Sequence, residues 1–187
     1  MKRLLALVCG ALLLSGAAAA YADSYSDTIE LFRNAGDSGG FFKTSYGYAV
    51  FPTIGKGGLV VGAAHGSGRV YAQGKYVGDT SMTQLSVGLQ LGGQAYSQII
   101  FFQDKRSLDE FESGNFEFGA DASAVAITAA AGASAGTTGA NAGASGGKKD
   151  ASTAGSYYKG MAVFTIVKGG AMYQATVAGQ KFKYTPK

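Results

Sequence analysis

The spacing of apolar residues divides this chain into three regimes: nearly continuous up to residue 22, every three or four residues over 24–35, and every second residue from Tyr46 onward. In the first regime Lys2-Arg3 precede an apolar stretch from Leu4 to Leu14, interrupted only by Cys9 and Gly10. Small residues follow from Ser15 to Ala20, and Ala20-Tyr21-Ala22 places small side chains at the −3 and −1 positions of a cleavage point. This three-part pattern predicts a secretory signal peptide over 1–22, cleaved after Ala22, with an apolar run too short to span a bilayer. Cys9 lies inside the apolar run without a small-residue lead-in, so it is a poor acylation site.

Residues 23–45 form the second regime. Tyr25, Ile29 and Phe32 keep the i, i+4, i+7 spacing of one helix face, with Asp27, Glu30 and Arg33 off that face. Ser24 or Ser26 is a candidate cap, and Gly36 a stop. Such a helix has two uses. It docks on the domain, or it lays Tyr25, Ile29 and Phe32 into a membrane interface while Arg33 snorkels toward headgroups. Its shortness and its two acids favour docking.

From 46 to 187 the period of two dominates. Tyr46–Phe51 reads as a strand that stops at Pro52. Gly58–Ala64 and Arg69–Gln73 read as two more, joined through His65-Gly66-Ser67-Gly68. Leu85, Val87, Leu89 and Leu91 alternate with Ser86, Gly88, Gln90 and Gly92, the pattern of a half-buried strand with one smooth face. Ala95–Gln103 is an apolar strand, and Lys105–Glu112 a short helix carrying Leu108 and Phe111. Phe116–Ala131, Met161–Val167, Ala171–Val177 and Lys181–Tyr184 continue the strand pattern. Between them 132–156 is almost wholly Ala, Gly, Ser and Thr, too poor in apolar mass to offset the entropy of ordering it, so a flexible loop is expected. The pattern therefore predicts a mainly β fold: a single compact antiparallel β-domain of about eight to ten strands, with an N-terminal helix and one short inserted helix.

Composition narrows the chemistry. Thirty glycines, two prolines and only 15% charged residues suit a glycine-punctuated sheet. The single cysteine lies in the leader, so the 165 residues that remain after cleavage have no disulfide and depend on packing. Loss of Lys2 and Arg3 reduces the excess of cations from four to two, and no dense basic stripe with interleaved aromatics remains for nucleic acid. One histidine, His65, rules out a His-rich metal site, and G-x-S-x-G, dinucleotide and phosphate-loop signatures are absent. No catalysis, cofactor or metal is expected. One internal echo stands out: Phe51-Pro-Thr-Ile-Gly-Lys56-Gly-Gly58 against Phe164-Thr-Ile-Val-Lys168-Gly-Gly170. Two similar hairpin turns account for it, as do two lysines presented to a shared anion.

Tyr46-Gly-Tyr-Ala-Val-Phe-Pro-Thr-Ile54, Lys56-Gly-Gly and Gly66-Ser-Gly-Arg69-Val70 together resemble the opening of the SYLF domain. Leu85 to Gln94, Phe116-Glu-Phe-Gly119 and Tyr157-Tyr-Lys-Gly160 extend the resemblance, which covers about Tyr46 to Tyr184. It implies lipid binding: eukaryotic members carrying SH3 or FYVE modules bind phosphoinositide membranes, partly through an N-terminal amphipathic helix, and some bind actin. Short exported bacterial members consist mostly of this domain. Thr80-Ser81 stands where eukaryotic relatives often carry Trp-Ser, and the chain has no tryptophan, which weakens an aromatic membrane anchor.

The expected function is non-catalytic binding of anionic lipid or phospholipid at a bacterial cell envelope, in the periplasm or peripheral on the membrane surface. Lys56, Arg69 and Lys168 are the candidate lipid-binding residues, because they flank turns that bring backbone N–H groups outward. The alternative is an envelope structural or protein-interaction module that uses the smooth face at Ser86–Gly92 or the 132–156 segment.

Overall fold

The computed structural model describes residues 24–58, 61–87, 92–114, 116–119, 125–127, 157–169 and 177–187. The expected leader, the 132–156 segment and most of the 171–177 strand lie outside them. Three helices open the described chain: α1 (24–34), α2 (Gly36–Gly39) and α3 (Phe41–Thr44). The strands are β1 (Gly47–Gly58), β2 (Val61–Ala72), β3 (Lys75–Val87), β4 (Gly92–Phe102), β5 (Val125–Ile127), β6 (Met161–Gly169) and β7 (Gln180–Pro186), with α4 (Lys105–Glu112) after β4. They form one sheet in the order β5-β6-β4-β1-β2-β3-β7, antiparallel throughout except for β5 beside β6. The mainly β class and both expected helices are present, and α4 has the predicted bounds. Asp104 caps α4: the Ser107 amide donates to Asp104 Oδ1 at 2.8 Å, while Leu108 and Phe111 are buried.

Seven strands are described where about eight to ten were expected: the expected Gly58–Ala64 and Arg69–Gln73 strands are largely one strand, β2, and most of the expected 171–177 strand lies outside the described residues. His65-Gly66-Ser67-Gly68 is not a turn but the middle of β2. Its glycines are small because the neighbouring strand lies against them. A Cβ on Gly66 would stand 2.6 Å from Ile54 Cγ1, and one on Gly68 would stand 2.6 Å from Phe51 Cδ1. The β2–β3 hairpin turns instead at Gln73-Gly74, both with positive φ (49° and 77°), the pair of left-handed residues that a tight hairpin requires.

Likewise β1 does not stop at Pro52. A proline inside a sheet removes one ladder donor, and β1 absorbs this with a bulge. Its register slips between Val50 and Thr53 against β2 and between Phe51 and Ile54 against β4. Ser97 Oγ on β4 donates to the Pro52 carbonyl at 2.7 Å. Because side chains alternate with period two, the extra residue reverses the phase of everything after it. Phe51 and Ile54 therefore both face the same core.

That core occupies the inner, concave face. Phe51, Phe102, Phe111 and Phe182 pack there with ring centroids 5.0–5.8 Å apart, α4 supplying Phe111. The sheet curls strongly. Gln98 on β4 and Gln180 on β7 are separated by three intervening strands, yet they exchange two side-chain hydrogen bonds of 2.9 and 3.1 Å, both fully buried. Gln84 on β3 also points inward and donates to the Ala178 carbonyl at 2.8 Å. Its neighbour Leu85 is 77% exposed. The alternation expected around Leu85 exists, but β2–β3 pairing places Thr80, Met82 and Gln84 inside and the leucine outside.

Among the described residues, helices cover one part of the outer face. Val50, Ile99, Phe101, Phe164 and Ile166 meet Tyr25, Phe32 and Ala35 from the N-terminal helices, with Ile29, Phe41 and Phe42 packed around them. Phe41 stacks on Phe101 at 5.4 Å, and Phe42 meets Tyr48 at 5.2 Å. The apolar face of the helix that a membrane would require is thus occupied by the sheet, and Arg33, instead of snorkelling, lies 5.1 Å over the Phe42 ring. The helical path also continues past Gly36, bending at Ala35 into α2.

Phe32→Ala is expected to cost about 3–5 kcal/mol of unfolding free energy, the range for a fully buried phenylalanine. Chemical denaturation measures it, and an unchanged midpoint would refute docking. For the buried amides, Gln180→Leu alone is expected to cost about 1–3 kcal/mol by orphaning Gln98, whereas Gln98→Leu with Gln180→Leu recovers most of that loss. A denaturation double-mutant cycle reads the coupling; additive losses would show that the pair is not a unit.

Candidate functional site on the open outer face

Beyond the helices, no described element packs on the outer face of the sheet. Gly55 and Gly57 on β1, Ala63, His65 and Ser67 on β2, and Thr83 and Leu85 on β3 are exposed there. Small side chains in register on adjacent strands give a flat surface, with Leu85 projecting from it. β7 adds a basic margin by strict alternation: Gln180 and Phe182 point in, while Lys181 and Lys183 are exposed on the outer side.

Two of the three predicted lipid-binding residues reach this face. Lys168 sits where β6 slips by one residue against β4, between partners Val167 and Gly169. Its ammonium donates to Thr53 Oγ1 at 3.1 Å, across the intervening β4. Arg69 pairs in register with Val50 and shares its outer side. Its guanidinium lies 4.4 Å over the Tyr25 ring and 5.3 Å over Tyr76, with Nε 3.9 Å from Asp79 Oδ1. Arg69 therefore has two tasks: it offers charge at the edge of the open face and it clamps the first turn of α1.

Lys56 goes the other way. Two residues past Ile54 on the unbroken part of β1, it faces the concave side in a half-buried position. Burial holds its ammonium pKa below the ordinary lysine value. The two echoed lysines flank β4 from either side but project from opposite faces of the sheet, and neither occupies a hairpin turn. They do not converge on one anion. The reason is the Pro52 bulge, which reverses the side-chain phase of β1 ahead of Lys56.

Sequence reasoning passed over Lys181, Lys183 and Leu85 as site residues. The first two were readable: Lys181-Phe182-Lys183-Tyr184 alternates cleanly, and its place beside β3 puts both lysines on the outer side. Lys181 is tethered to Glu117 at 3.3 Å. The smooth face expected around Ser86–Gly92 falls largely outside the described residues. Among the described residues no group of three His, Cys, Asp or Glu side chains is placed to hold a metal ion. Tyr96, buried beside Gln180, has its phenol pushed up to about 12 by desolvation and carries no charge at neutral pH.

Lys56 yields a signed expectation. Its folded pKa is depressed, so the folded state disfavours the proton that the unfolded state holds freely. Stability is diminished at pH below the folded pKa and rises as pH passes up through it toward the unfolded value. Lys56→Met is therefore expected to raise the melting temperature at neutral pH, with the gain shrinking in alkaline buffer. A variant that melts lower at pH 7 and equally at alkaline pH would show that Lys56 is stabilised by a partner rather than penalised by burial.

The geometry can be set beside known proteins. Residues 83–184, running from the outer end of β3 to β7, match the family described as Ysc84, Las17-binding protein actin regulator. That span contains Lys168, Lys181, Lys183 and the Gln98–Gln180 pair, while Lys56 and Arg69 precede it. The chain is also similar to beta cell expansion factor A of Aeromonas veronii, at 29% identity over 156 residues, covering 82% of this chain and 51% of that protein. It spans about half the length of that curated relative. With more than half of its length matched and the SYLF motifs in order, this chain belongs to the Ysc84 (SYLF) family of binding domains.

Proposed function

We propose that this protein binds anionic lipid headgroups reversibly, without turnover, through the open half of its outer sheet face at the surface of a bacterial cell envelope. The observation that supports this reading is that Arg69, Lys168, Lys181 and Lys183 all lie on the outer, convex side of the sheet, where Leu85 also protrudes. Each cation near an anionic surface contributes about 1 kcal/mol, so a handful supports weak, salt-sensitive association. Leu85 adds a small apolar contribution at the acyl boundary. Export by the 1–22 leader would place the protein at such a surface. A second reading, a protein partner seated on the same face, draws support from the family description, which names a Las17-binding protein.

Flotation with vesicles of neutral phosphatidylcholine, with and without phosphatidylglycerol, tests the proposal. Binding is expected only with the anionic lipid and is expected to fade as salt is raised. Lys168→Ala with Lys181→Ala removes about 2 kcal/mol, roughly a thirtyfold loss of partitioning. Equal binding to neutral vesicles, or indifference to salt, refutes it. Absence of vesicle binding together with stoichiometric capture of one envelope protein would favour the second reading.

A further inference from the structure

Next to the basic face lies a separate recess. The first turn of α1 leans over β2, β3 and β7 and leaves a cleft of about 290 Å³, lined by Tyr25, Ser67, Asp79, Ser81, Lys183 and Thr185. Its chemistry differs from that of the open face. Three aliphatic hydroxyls, one carboxylate, one ammonium and one phenol share a small volume.

We propose that this cleft binds one pyranose unit of a glycan. The charge pattern selects a neutral ligand. Asp79 opposes phosphate and carboxylate groups, while Lys183 and the adjacent Arg69 oppose cations. The hydrogen-bonding pattern selects a polyol. Asp79 accepts only, Lys183 donates only, and Ser67, Ser81 and Thr185 do both, which matches the mixed donors and acceptors of vicinal sugar hydroxyls. Asp79 is also pre-positioned: Tyr76 hydrogen-bonds to it and Arg69 Nε stands 3.9 Å away, yet 65% of its side chain remains exposed to accept from a ligand. Tyr25, buried against the sheet with its ring under the Arg69 guanidinium at 4.4 Å, forms the fixed rear wall of the cleft, so recognition rests on the polar groups.

Size and backbone exclude the rival classes. Pockets for drug-sized ligands begin at roughly 300 Å³, so this cleft takes a single ring and not an acyl chain. A peptide lying over β2 and β3 gains no strand pairing from them, because both are hydrogen-bonded on both sides here. The lipid reading does not enter this argument, and either proposal can fail without the other.

Saturation-transfer NMR on the full chain, using the methyl glycosides of glucose, galactose and N-acetylglucosamine, provides the test. At least one is expected to receive saturation, with amide shifts confined to β3 and β7 around Ser81 and Lys183. Asp79→Asn is expected to weaken that binding about tenfold, the loss of one charge-assisted hydrogen bond. Thr185→Val, on the exposed end of β7, serves as a second variant should Asp79→Asn not fold, and is expected to weaken binding in the same direction. Saturation transfer to none of the three glycosides, transfer indifferent to both variants, or displacement by inorganic phosphate would each overturn the proposal.

Discussion

A proline sits in the central strand of this sheet, and much else is arranged around the step it makes. Pro52 offers no N–H to the ladder, so β1 bulges, and Ser97 on β4 holds the proline carbonyl that the bulge displaces. Because the phase of β1 reverses there, Phe51 and Ile54 both drive into the concave core. Two aromatic or branched side chains so close together on one face need space opposite, and Gly66 and Gly68 on β2 provide it. The same reversal carries Lys56 inside and leaves the outer face to Arg69 and the lysines of β6 and β7.

With no disulfide among residues 23–187, stability rests on apolar burial on both sides of one sheet. The two sides solve the problem differently. The concave side closes on itself: the curl brings β4 to β7, an aromatic cluster fills the interior, and α4 plugs it. Where the curl brings polar residues together in the core, Gln98 and Gln180 satisfy each other, as buried amides must. The convex side has no such recourse and borrows α1 to α3 as a lid, held by ring stacking and by Arg69 over Tyr25.

The lid is shorter than the face. Among the described residues, those on the convex side away from the helices are mostly small, basic or hydroxylated, with Leu85 an apolar exception. The two proposed surfaces differ chemically: the convex face carries exposed cations, whereas the cleft beneath the start of α1 sets acid and base in opposition. Membership of a binding-domain family is consistent with a scaffold whose rigid sheet presents surfaces rather than a reactive centre. Arg69 links the two regions and the lid, so its loss disturbs recognition and packing together.

The alternation of apolar and polar residues by itself determined the β class, the N-terminal helix, the α4 bounds, and the stretches that became β4, β6 and β7. These depend on period and local capping, which neighbouring residues encode. It also contained the apolar stripe of Tyr25, Ile29 and Phe32, and the shortness and acids of that helix already leaned toward docking. What faces what was decided elsewhere. Gly66 and Gly68 looked like a turn because a glycine required by a neighbouring strand's side chain is indistinguishable from one required by positive φ. Leu85 looked buried because alternation reveals two faces without saying which one meets the core. Lys56 and Lys168 looked equivalent because a bulge at Pro52 changes phase by one residue, a shift visible only in the pairing of β1 with β2 and β4. The Gln98–Gln180 contact and the cleft between Tyr25 and β7 join residues 82 and about 160 positions apart, and no local pattern records a meeting that sheet curvature alone brings about.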